Sequence, residues 1–93
     1  MRELRHAYYE ISTTLNISKY ASTLGVQVPA SVNDLMGTAY TAYEKARTYY
    51  EEGKYVEVLA YAHLSIEACH SARQVIEFAL AEAGIVPPPP PPP

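Results

Sequence analysis

The sequence predicts an all-α fold, an up-and-down three-helix bundle that continues into a C-terminal polyproline II tail. Three observations carry this. Apolar residues recur at i, i+4, i+7 in three separate stretches, the period of an amphipathic helix. Gly25, Gly53 and Gly84 stand between or after those stretches, where helices most readily end. Residues 87–93 are all proline; such a run has fixed φ and no backbone donor, so polyproline II is the conformation open to it, over about 22 Å.

A chain of 93 residues allows one domain with a modest core, here residues 1–86 as the bundle and 87–93 as the tail. With 48% hydrophobic and 18% charged residues, it has the apolar material to fold. A net charge of −3 gives no basic footprint for nucleic acid. The single cysteine, Cys69, cannot close an internal disulfide, so stability must come from packing. The opening MRELRHAYYE is charged where a secretory signal needs an apolar stretch, and no run approaches the roughly 18 apolar residues of a membrane span. The expectation is a soluble, cytoplasmic protein with neither membrane nor nucleic acid as partner.

The first helix, over about residues 2–23, places Leu4, Tyr8, Ile11, Leu15 and Ser18 on an inward face and Tyr9, Thr13, Asn16 and Tyr20 on the opposite one. Residues 26–30 connect it to the second, with Pro29 holding Val28 extended. Ser31, followed three residues later by Asp34, predicts a side-chain N-cap. Val32, Met36, Ala39, Tyr43, Ala46 and Tyr50 then alternate 4-3-4-3-4 along one seam, ending near Glu52. Gly53 leaves only a short turn, which sets the second and third helices antiparallel.

The third helix, over about residues 54–83, directs Tyr55, Leu59, Ala62, Ile66, Cys69, Ile76 and Leu80 inward. A second stripe of Val58, Tyr61, Ser65, Ala68, Ala72, Val75 and Ala79 predicts a central helix that another approaches closely over small residues. Leu64 and Phe78 fall outside both stripes and are candidates for intermolecular contact. Gly84 and Ile85 predict a Schellman ending, and Pro87 forbids continuation.

The segment ARTYYEEGKYVEVL at residues 46–59 resembles a tetratricopeptide helical pair and the hairpin of microtubule-interacting and transport domains. No second copy lies at the ~34-residue period of such repeats, and Ser65 stands where the repeat has alanine. Nearly the whole chain up to Leu80 is similar to a family of short archaeal three-helix proteins described only as a domain of unknown function, the motif resting on Tyr49, Gly53, Tyr55 and Val56. That resemblance implies an up-and-down three-helix bundle and brings no activity with it. The chain departs from the family's pattern at AHLSIEACHSA in the last helix and in the proline tail.

His63, Glu67 and His70 share one face at i, i+4, i+7, a spacing a first-row metal can use. Carboxylate-bridged di-metal bundles need two Glu-x-x-His pairs and further glutamates, and the third helix has one pair, Glu67 to His70. A solvated polar face is the expectation, with no metal and no cofactor. Cys69 and His70 are about 100° apart around the helix and cannot share a proton, so Cys69 reads as a buried, inert thiol. The Arg-then-His spacing of helical nucleases is missing from the third helix, and Arg2 to His6 is one residue too short. An ion pair to Glu77 accounts for Arg73. No catalytic set emerges, and the chain is not expected to be an enzyme.

Nine tyrosines stand beside one phenylalanine and no tryptophan. Tyr8, Tyr43, Tyr50 and Tyr55 read as core with a hydroxyl at the rim, while Tyr9, Tyr20, Tyr49 and Tyr61 are less easily buried and are open to a partner. A tyrosine ring packs on a pyrrolidine face while its hydroxyl reaches a proline carbonyl, so one chain carries both halves of that interaction. The expected function is a non-enzymatic interaction or self-assembly module that forms a homo-oligomer, its tail docking on the tyrosine-rich surface of itself or a neighbouring copy. The expected contact residues are Tyr9, Tyr20, Tyr49, Tyr61, Leu64, Phe78, Pro87, Pro90 and Pro93. The alternatives are a metal-binding bundle, and an adaptor with a shallow groove between the second and third helices that takes a helical or proline-rich peptide.

Overall fold

A computed structural model describes residues 1–86, 89 and 92. It is all-helical: α1 spans Arg2–Thr23, α2 Ser31–Glu51 and α3 Tyr55–Glu82, with no strand among the described residues. Of the predicted tail contacts, Pro87, Pro90 and Pro93 lie outside the described residues. Among the described residues no helix is long and apolar enough to cross a membrane.

All three helices close with the same backbone pattern. The amides of Val26, Lys54 and Ile85 donate to the carbonyls of Ala21, Tyr49 and Leu80 at 3.0, 2.9 and 2.9 Å, the long-range bond of a Schellman motif. Gly53 has φ +74°, a left-handed conformation that costs a side-chain-bearing residue about 1 kcal/mol or more, and the chain restarts as α3 only two residues later.

The start of α2 differs from expectation. Ala30 is its N-cap, without any side-chain cap bond, and Ser31 is already helical. The amides of Val32 and Asn33 are taken up by the carbonyls of Pro29 and Ala30, both at 3.0 Å, so the backbone turn at Pro29 does what the Ser31 side chain was expected to do.

α3 is the central element, with α2 and α1 packed along it and touching one another much less. Ala39 meets Ser65 and Tyr49 meets Tyr61, so numbers fall along α2 as they rise along α3 and the pair is antiparallel. Leu4 joins Val58 and Ala62 near one end, while Ala21 joins Ile76 and Leu80 near the other, making α1 parallel to α3. This is an up-and-down bundle. The larger core holds Ile11, Ile17, Val32, Met36, Cys69, Ile76 and Leu80, with Val26, Val28 and Ile85 closing over it. A smaller one centres on Ala46, Val58 and Ala62.

The buried face of α1 is rotated from the predicted one. Ala7, Glu10, Ile11, Thr13, Thr14, Ile17 and Ala21 are buried, while Leu15 is exposed, Tyr8 is 60% exposed and Leu4 and Ser18 are half-buried. The predicted outward stripe is interrupted as well, because Thr13 is buried. The physical reason is close approach: Cys69 of α3 meets Thr14 of α1, and a tight interface is filled by Ala and Thr, with bulky side chains pushed to the rim. Tyrosines predicted as core stand at the rim too, Tyr50 and Tyr55 edge to face beside the α2/α3 turn with centroids 5.9 Å apart. Tyr50 and Tyr55 are exposed, as is Leu59, and Tyr43 is half-buried.

Candidate functional site

Two places gather polar and aromatic chemistry. The first is the outer face of the α2/α3 hairpin. Ser65, fully buried, donates its hydroxyl to the Ala39 carbonyl at 2.8 Å, which pins the two helices so near that no large side chain fits between them at that level. Tyr49 and Tyr61 are therefore carried to the surface seam, where their rings stack with centroids 5.5 Å apart and planes 27° from parallel. Lys45 Nζ stands 5.4 Å from the Tyr61 centroid and Lys54 Nζ 5.8 Å from that of Tyr49, both within cation–π range.

Two shallow hollows adjoin this pair. One hollow of about 490 Å³ is lined by Gly37, Thr38, Thr41, Lys45, Tyr61 and Leu64, among others. A second, of about 690 Å³, is lined by Tyr40, Thr41, Lys45, Thr48, Tyr49 and Lys54 with Glu44 and Glu52. The two share Thr41 and Lys45. Gly37 is the residue here that sequence reasoning passed over. It sits inside α2, and a Cβ built on it would meet nothing within 4 Å. A glycine inside a helix costs about 1 kcal/mol relative to alanine, and no internal packing requires this one.

The second place is the α1/α3 interface. Glu10 is only 6% exposed. Arg73 Nη2 approaches its Oε1 to 2.9 Å, His70 Nε2 stands 3.4 Å from the same oxygen, and His6 Nε2 stands 3.5 Å from Oε2. No N–H points along the line to Oε1, which has no directional hydrogen bond; charge joins Arg73 to Glu10. Beneath lie Thr14, whose hydroxyl donates to the Glu10 carbonyl at 2.7 Å, the buried Thr13 hydroxyl without a partner, and Cys69. Burial pushes the Cys69 thiol from 9.0 to about 11; contact with the Thr14 hydroxyl lowers it, Glu10 raises it and Arg73 lowers it. This thiol is buried and poorly nucleophilic.

The predicted site residues thus separate. Tyr49, Tyr61 and Leu64 come together on the α2/α3 face. Tyr9 lines a hollow at the start of α1 with Arg2, Arg5 and His6, Tyr20 is exposed on α1, and Phe78, 71% exposed, stands on α3 well beyond Leu64. His63, Glu67 and His70 line one hollow with Glu3 and His6 of α1; within it His63 faces Glu67 at 3.6 Å, and His70 stands 3.4 Å from Glu10. Among the described residues no three His, Cys, Asp or Glu side chains could hold one metal ion. Arg73 likewise reaches Glu10 on α1 in place of Glu77 on its own helix.

Compared with protein-family models, with curated proteins and with solved structures, the chain matches none.

Proposed function

We propose that this chain is a non-enzymatic protein-interaction module whose binding face is the outer α2/α3 groove, and that the groove takes an extended, proline-rich segment. The stacked Tyr49–Tyr61 pair carries this reading. Its half-buried rings, stacked on each other with Lys45 and Lys54 over them, offer aromatic edges against which pyrrolidine rings can pack, with Lys45 and the Thr41 hydroxyl beside them as donors for proline carbonyls. Polyproline II is ordered before it binds, so docking costs little conformational entropy. The charge of the face also suits a neutral ligand, because Lys45 and Lys54 are set against Glu44 and Glu52 along the groove.

The test is a titration of the protein lacking residues 87–93 with a blocked heptaproline peptide, followed by amide chemical shifts. Shifts confined to Tyr61, Thr41, Lys45 and Gly37 are expected. Shifts absent from this face at millimolar peptide would refute the reading, and shifts produced only by an amphipathic helical peptide would replace the proposed ligand with a helix.

A further inference from the structure

We infer that the proline run 87–93 occupies the α2/α3 groove of a second copy of the chain and not that of its own. The inference rests on the reading of that groove as a binding face.

Ile85 is tied to the end of α3 by its amide bond to the Leu80 carbonyl, 2.9 Å, and by packing against the core. From that anchor, Val86 and seven prolines extend about 25 Å at full stretch. Leu80 and Tyr61 are 19 residues apart on one helix, about 29 Å along its axis. A run turned straight back along α3 reaches the level of Gly37, about 20 Å from Leu80 by the Ser65–Ala39 register, but ends short of the Tyr49–Tyr61 pair and so covers only part of its own groove. A run supplied from outside is free of that tether. The groove floor from Gly37 to Tyr49 covers 12 residues of α2, about 18 Å, and six prolines span about 19 Å.

Gly37 gives the second argument. A missing Cβ on an open helix face has no use in the isolated bundle, but it lets a ligand backbone lie against the helix. Tyr61 and Leu64 flank this flat spot on the α3 side and Thr41 continues it along α2, so a pyrrolidine edge can seat there without meeting a side chain.

Two variants separate the run from the groove. Deleting residues 87–93 removes the run and leaves both core clusters whole, since these lie within residues 4–85. Tyr61→Ala, with Gly37→Trp as a second groove-blocking variant outside the core, keeps the run and spoils the groove; circular dichroism checks that each stays helical. By light scattering, the mass of the full chain is expected to rise with concentration. Each variant alone is expected to remain a monomer, and an equimolar mixture of the deletion with either groove variant is expected to reach about twice the monomer mass. A mixture that stays monomeric while the deletion variant still binds heptaproline overturns docking between copies and leaves the groove reading standing. If the deletion variant binds no heptaproline, the groove reading itself fails and this inference with it. Tail-dependent shifts at Tyr61 in the full chain that do not change on dilution also overturn it.

Discussion

Arg73 Nη2 lies 2.9 Å from Glu10 Oε1 across the α1/α3 interface, with Glu10 almost wholly buried. This pair joins α1 to the hairpin at mid-length, beside the apolar core of Ile11, Ile17, Ile76 and Leu80. Removing one member of a buried pair leaves the other charge without compensation, a loss of about 3 kcal/mol or more.

Arg73→Ala and Glu10→Ala are each expected to destabilise the protein by about 3 kcal/mol in urea denaturation, with α1 amides losing hydrogen-exchange protection before those of α2. The double replacement Glu10→Leu with Arg73→Leu restores most of that loss, because paired apolar groups avoid the desolvation of charge. A double variant as unstable as the sum of the singles would contradict a structural role confined to this pair and point to His6 and His70 as partners that need the carboxylate.

Ser65 donates to a backbone carbonyl on another helix, which fixes the α2/α3 spacing and, through it, where Tyr49 and Tyr61 surface. Ser65→Ala keeps the volume and loses one buried hydrogen bond, an expected cost of about 1 kcal/mol. Ser65→Leu forces the helices apart, with an expected cost of about 3 kcal/mol and loss of the Tyr49–Tyr61 ring-current shifts in the proton spectrum. Unchanged tyrosine shifts in Ser65→Leu would show that the ring pair does not depend on this spacing.

The helices themselves were legible because their signals are local. The three glycine endings each appear in the hydrogen-bond pattern, and α1 begins and ends at the expected residues. The rotation of α1 was not legible, since a periodicity weighted by bulk follows Leu4, Tyr8 and Leu15, while the interface selected Ala7, Thr14 and Ala21 for fit. The small-residue seam on α3 was visible in Ser65, Ala68 and Ala72, all three of them buried. Glu10 and Arg73 lie 63 positions apart, and no sequence spacing announces a pair formed between helices. Gly37 was readable in principle, as a helix-interior glycine with no turn to make.

Cys69 is fully buried, and its thiol is raised from 9.0 to about 11. The folded state therefore holds its proton above the pH at which the unfolded chain releases it. This contribution to stability is fully present below about pH 9 and is lost as pH rises from 9 to 11, by about 3 kcal/mol for two pH units. Comparison with Cys69→Ala isolates it from the tyrosines and lysines that titrate nearby: the wild type should lose more stability than the variant between pH 8 and 11. Equal losses would place the thiol in contact with solvent, as would rapid alkylation of the native protein at pH 8.

Gly37→Ala sets stability against binding. In the isolated bundle the added methyl group points into open space and the helix gains about 1 kcal/mol of propensity, so the variant lacking residues 87–93 should melt several degrees higher with alanine at this position. The same methyl group stands on the floor of the groove, where a ligand backbone must come close, and heptaproline should bind the alanine variant several-fold more weakly. Tyr61→Phe provides the comparison, keeping the ring and removing a donor, with a smaller loss of affinity and little change in melting. Should Gly37→Ala both stabilise the bundle and leave peptide affinity unchanged, the glycine has no part in recognition and the ligand rests on the tyrosine pair alone. Opposite signs from one methyl group are the outcome expected of a position kept open for a partner at the expense of the helix that carries it.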